Sequence, residues 1–142
     1  MATEKVRASA STPQSSMPLV SLAERKRLLG SLLKGVSRSF YLTLRVLPGD
    51  LRTPIGLAYL LARAADTISD TRLLPPDERL SHLLGFRSQV EGPADAESLA
   101  RIGLLLTQIP VSDQEHVLLS SLPQIFSMLE TVVDFLIELR FI

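Results

Sequence analysis

Tyr59, Arg63, Asp66 and Asp70 recur at i, i+4, i+7 and i+11 within one segment free of proline and glycine. At about 100° per residue they share an arc of roughly 60° on a helix, while Leu57, Leu60, Leu61, Ala64 and Ile68 turn the opposite way. Two carboxylates one turn apart, with a guanidinium and a phenol on the same stripe, suit a site for a metal-bound diphosphate. Asp66 and Asp70 fall near the helix C-terminus, where the macrodipole disfavours each carboxylate by about 0.3–1 kcal/mol. Their mutual repulsion adds about 0.2–0.5 kcal/mol, which an Arg63–Asp66 pair offsets only partly because the cation stands on the N-terminal side. A divalent cation would reverse that balance, since each carboxylate can donate one oxygen while phosphate and water complete the shell. The flanking Ala62, Thr67 and Ser69 are small and leave room for a bulky ligand.

A second group, Ser37-Arg38-Ser39-Phe40-Tyr41, places two hydroxyls and a guanidinium close together, a combination that suits phosphate oxygens. The other polar candidates are weaker. His82 and His116 stand singly, without a second ligand at metal spacing. Glu130, Asp134 and Glu138 repeat every four residues with no Arg or Tyr on their stripe, and read as the wet face of an amphipathic helix.

The elements that must carry these residues are all helical. Apolar residues recur at three- and four-residue intervals and nothing alternates with period two. Ser21 and Glu24 form a capping-box pattern that predicts a helix running to about Leu47, stopped by Pro48-Gly49. The helix with the stripe is expected to start near Asp50 or Thr53, with Pro54 in its first turn, and to end before Pro75-Pro76. Two more helices are predicted over about 77–90 and, with Asp95 as N-cap, up to Ile109. Ser112 and Glu115 are a second capping box, opening a helix that Pro123 kinks or divides. The chain still runs apolar at Phe135, Leu136, Ile137, Phe141 and Ile142, so the sequence looks cut in mid-fold.

The 142 residues allow one domain or part of one, and 46% hydrophobic residues supply a core. Fifteen basic and fifteen acidic residues cancel without a Lys/Arg run that would track a phosphate backbone, which argues against nucleic acid as partner. The absence of cysteine excludes disulfides and thiolate chemistry. Residues 1–20 read as a disordered tail without an apolar signal core, followed by a helical unit over 21–142. The longest apolar run, Val117 to Leu129, is too short for a bilayer span, so a cytoplasmic chain with at most peripheral membrane contact is expected.

Taken in order, Ser37-Arg38-Ser39-Phe40, Leu47-Pro48 and Tyr59-x-x-x-Arg63-x-x-Asp66-x-x-x-Asp70 resemble the amino-terminal part of the squalene/phytoene synthase family, closely over about Leu29 to Thr71. The resemblance implies an all-α isoprenoid-synthase-type helical bundle, present here as its amino-terminal half. It further implies a transferase that condenses two prenyl diphosphates, farnesyl or geranylgeranyl diphosphate, head to head. On that resemblance Asp66 and Asp70 are the Mg²⁺ ligands and Tyr59 and Arg63 the catalytic pair. Ser37, Arg38, Ser39, Phe40, Tyr59 and Arg63 bind the substrate, and NADPH takes part only if the product is squalene. Ser69 stands where many relatives carry an acid, and the family's second aspartate-rich helix is expected beyond Ile142. The 142-residue chain is therefore expected to be inactive or nearly so. The alternative is a non-catalytic binding or assembly module, which self-associates through Phe135, Ile137, Phe141 and Ile142.

Overall fold

In a computed structural model the described residues are 17–108 and 110–138; among them are helices, turns and no strand. The first predicted helix is divided. α1 (Leu22–Arg27) continues through a π-helical turn (Leu28–Leu32) into α2 (Leu33–Val36), and α3 (Arg38–Arg45) follows after a break at Ser37. The π turn sets the register so that Leu28, Leu32 and Leu33 all enter the core.

The break has a local cause. Ser37 is extended, at φ −159° and ψ 101°, and its Oγ accepts a hydrogen bond from Phe40 N–H at 3.3 Å. Its own N–H still donates to Leu33 C=O at 2.9 Å, so one residue closes α2 and opens α3. A short hydroxyl that can bond its own neighbouring backbone competes well with helix continuation. Ser37→Ala is therefore expected to cost about 1 kcal/mol of stability through loss of the cap, read as a lower urea midpoint. An unchanged midpoint would show that the cap does not hold the break.

α4 (Gly49–Asp70) is the central element and touches α3, the π turn, α5, α7 and α8. It starts earlier than expected, so Pro54 lies at its sixth residue and not in its first turn. Arg52 Nε and Nη2 donate to the carbonyls of Leu47 and Arg45, at 3.0 and 2.9 Å, and tie the end of α3 to the start of α4. Leu57, Leu60, Ala64 and Ile68 are buried as the periodicity requires, with Leu61 half-buried beside them. At Gly56 a Cβ would sit 2.8 Å from Leu29 Cδ2, so glycine lets the π turn close on α4.

α5 (Pro76–Glu91), α6 (Ala96–Thr107), α7 (Asp113–Ser120) and α8 (Leu122–Glu138) complete the described bundle. Asp95 caps α6 through Ser98 N–H at 3.0 Å, and Ser112 and Glu115 form the reciprocal capping box of α7. Gly103 of α6 lies against Leu119 C=O of α7, where a Cβ would come within 2.6 Å. Pro123 occupies the second position of α8, so the chain divides at Ser121. The core joins Phe86 and Phe126 edge to face, 5.5 Å apart, to the leucines of α4, α6 and α7.

No single helix among the described residues is long and apolar enough to cross a membrane; α7 and α8 pass that test only as a pair bent by 55°. Residues 1–16 of the expected tail lie outside the described residues. Its last part is not loose, because Met17 and Val20 pack on the core and Ser127 Oγ donates to Pro18 C=O at 2.6 Å. The side chains of Phe135, Ile137 and Glu138, and residues Phe141 and Ile142 entirely, also lie outside the described residues.

Candidate functional site

The C-terminal half of α4 faces α7 across a cleft of about 380 Å³. Arg63, Asp66, Thr67 and Asp70 line one wall, Thr71, Arg72 and Leu73 the end, and Pro110, Val111 and Glu115 the opposite side. Three of the four stripe residues thus converge on one concave surface. Asp66 and Asp70 are exposed, and neither carboxylate has a hydrogen bond or ion pair among the described residues. Thr67 Oγ1 donates back to Arg63 C=O and Ser69 Oγ to Asp66 C=O, which keeps the small flanking side chains close to the helix.

Arg63 is held differently from expectation. Its Nη2 pairs with Glu115 Oε1 at 3.1 Å across the cleft, and not with Asp66, because the break between α6 and α7 brings the α7 cap opposite α4. Glu115 meanwhile accepts from Ser112 N–H through Oε2 at 3.3 Å. Spacing alone marked Glu115 as a cap and gave no hint of a partner 52 residues away. Two polar atoms of the cleft, Arg63 Nε and Thr71 Oγ1, are buried without a hydrogen-bond partner. Arg79 Nη1 donates to Ser69 C=O at 3.2 Å and steadies the last turn of α4 from α5.

Tyr59 does not line this cleft. One turn up the helix, its ring stacks on Phe40 with centroids 4.0 Å apart and planes 13° from parallel. That stack joins the two sequence groups, but Ser37, Arg38 and Ser39 do not line the cleft. Ser37 Oγ is engaged in its cap, while Arg38 and Ser39 are exposed on α3. Glu130 and Asp134 are exposed as a wet face would be, His82 and His116 are half-buried, and no group of three or more metal-binding side chains occurs among the described residues.

The family model described as squalene/phytoene synthase matches residues 33–134, which takes in the whole stripe, the Ser37 segment and the cleft. The chain belongs to the squalene/phytoene synthase family. Its similarity to individual members is local. It is 40% identical over 60 residues to the squalene synthase of Nicotiana benthamiana, covering 42% of this chain and 15% of that protein. It is 42% identical over 59 residues to squalene synthase LSS of Botryococcus braunii, covering 42% of this chain and 13% of that protein. Squalene synthase 1 of Arabidopsis thaliana is 38% identical over 60 residues, again 42% of this chain and 15% of that protein. The chain thus spans about one-seventh of the length of the curated relatives it matches. No solved structure matches it. The all-α reading holds for this family member, with the long first helix replaced by shorter pieces around Ser37.

Proposed function

We propose that this chain supplies the diphosphate-binding wall of a head-to-head prenyl transferase acting on farnesyl or geranylgeranyl diphosphate. The observation that carries this reading is the convergence of Arg63, Asp66 and Asp70 on one cleft. The donor set fits a divalent cation in type: two unpaired, exposed carboxylate groups one turn apart. Asp66 and Asp70 would hold Mg²⁺, which when bound supplies charge neutralisation for a departing diphosphate.

The chain's own residues would do the rest. Arg63, with Nε already free of protein partners, exchanges Glu115 for phosphate oxygens and donates a fork of N–H groups. Thr71 adds a hydroxyl at the end of the cleft. The Phe40–Tyr59 stack presents an aromatic wall toward the α3 side, where Ser37, Arg38 and Ser39 would meet a second phosphate or the prenyl chain. Exclusion of water is required because it would capture an allylic cation. The small donor set leaves this chain a binding half-site, so turnover of farnesyl diphosphate is expected to be absent or nearly so.

The test is titration with a non-hydrolysable farnesyl diphosphate analogue with and without Mg²⁺, alongside product analysis with farnesyl diphosphate itself. Arg63→Ala is expected to weaken analogue binding about tenfold, roughly 1.4 kcal/mol, as for loss of one charge-assisted contact. Unaltered binding by this variant would remove Arg63 from the phosphate site, and stoichiometric turnover by the parent chain would overturn the half-site reading.

A further inference from the structure

The other end of α4 carries a second cleft, of about 540 Å³. Arg52, which lines it, lies about 21 Å along the helix axis from Asp66, so the two clefts are separate. Arg25 and Lys26 of α1, Arg45 at the end of α3 and Arg52 of α4 line it, and no acidic residue does. Lys34 borders the same place: its Nζ and the Arg45 guanidinium carbon each stand 5.9 Å from the centroid of Tyr41, a lining residue. Arg25, Lys26, Lys34 and Arg45 have no ion-pair partner among the described residues. Arg52 uses Nε and Nη2 on backbone carbonyls, which fixes its guanidinium at the rim. In a chain whose fifteen basic and fifteen acidic residues cancel, this cleft gathers four cations with no acidic residue in its lining. The sequence did not show it because its cations, with Lys34, come from four separate helices.

Apolar side chains project beside these cations. Leu22 lines the cleft and is 69% exposed, and Val46, next to Arg45 and between the two carbonyls that Arg52 binds, is 81% exposed. A soluble phosphate would use the cations and gain nothing from two solvated aliphatic side chains. A lipid surface uses both, since basic residues are drawn to anionic headgroups and apolar side chains enter the acyl boundary.

We propose that this face docks on an anionic membrane surface, with Leu22 and Val46 entering the interface and Arg25, Lys26, Lys34, Arg45 and Arg52 meeting lipid phosphates. The inference does not depend on the aspartate cleft, and its test uses no Mg²⁺ or prenyl ligand. The chain is sedimented with vesicles of phosphatidylcholine alone or mixed with phosphatidylglycerol, at low and high salt. Expected is binding to the mixed vesicles that is at least tenfold tighter than to phosphatidylcholine and falls as salt rises. The double variant Arg25→Glu, Lys26→Glu should lose at least tenfold in that binding, and Leu22→Ser with Val46→Ser should lose severalfold. All four positions are exposed, and unchanged circular dichroism verifies that each variant folds. Equal binding to both vesicles, no binding, full retention by the charge-reversed variant, or complete displacement by millimolar inorganic phosphate would each overturn the proposal.

Discussion

Replacing Asp66 and Asp70 together by alanine is expected to abolish the Mg²⁺ dependence of prenyl diphosphate analogue binding and to weaken that binding by about a hundredfold, roughly 2.7 kcal/mol. Placement decides both effects. Both carboxylates are exposed on the cleft, neither has a protein partner among the described residues, and the only cation beside them on α4, Arg63, is turned to Glu115. Nothing in the fold depends on them, so the same variant should be at least as stable as its parent. Removing two acids near the C-terminal end of α4 relieves about 0.3–1 kcal/mol each of unfavourable interaction with the helix dipole, and their mutual repulsion of about 0.2–0.5 kcal/mol disappears as well. Opposite signs for binding and stability mark residues retained for a ligand. Calorimetric titration and thermal melting of the one protein read both. Binding that kept its affinity and metal dependence would reduce the stripe to a solvated helix face.

The largest expected effect on stability is at Phe126. This side chain is 1% exposed and meets Phe86 edge to face, joining α8 to α5 in a core shared with α4. Truncation to alanine removes the transfer energy of the ring and leaves a cavity that packed leucines fill only in part, a loss of about 3–5 kcal/mol. Against a total stability of about 5–15 kcal/mol for a domain, that is a large share. A fall of roughly 10–15 °C in the melting midpoint is expected. A loss under about 1 kcal/mol in chemical denaturation would mean that the core collapses around the gap.

The helix carrying the stripe was legible because its apolar residues hold one period for nearly its whole length, with the polar functional residues opposite. The same logic located α5, α6 and α7 through Pro76, Asp95 and the Ser112–Glu115 box. It failed at Ser37, where no proline or glycine intervenes between Val36 and Arg38. A single serine hydroxyl and an extended backbone make that break, and Ser37 carries no acid three residues later to advertise the cap. Within the site, Asp66 and Asp70 could be placed from spacing alone. The Arg63–Glu115 pair could not, since it depends on how α7 packs against α4, a contact between segments far apart in the chain. The basic face escaped for the same reason: chain order scatters its members and packing gathers them.

Glu115 has two oxygens and two duties, one toward Arg63 and one toward the start of α7. A ligand that draws Arg63 away takes only the first. The capping oxygen stays bonded to Ser112, so α7 keeps its beginning while the guanidinium changes partner. The pair is 41% and 21% exposed, a setting in which an ion pair contributes only about 0–1 kcal/mol. It behaves as a latch: firm enough to park Arg63 in a defined place, and weak enough to open for phosphate without unravelling the helix that holds it.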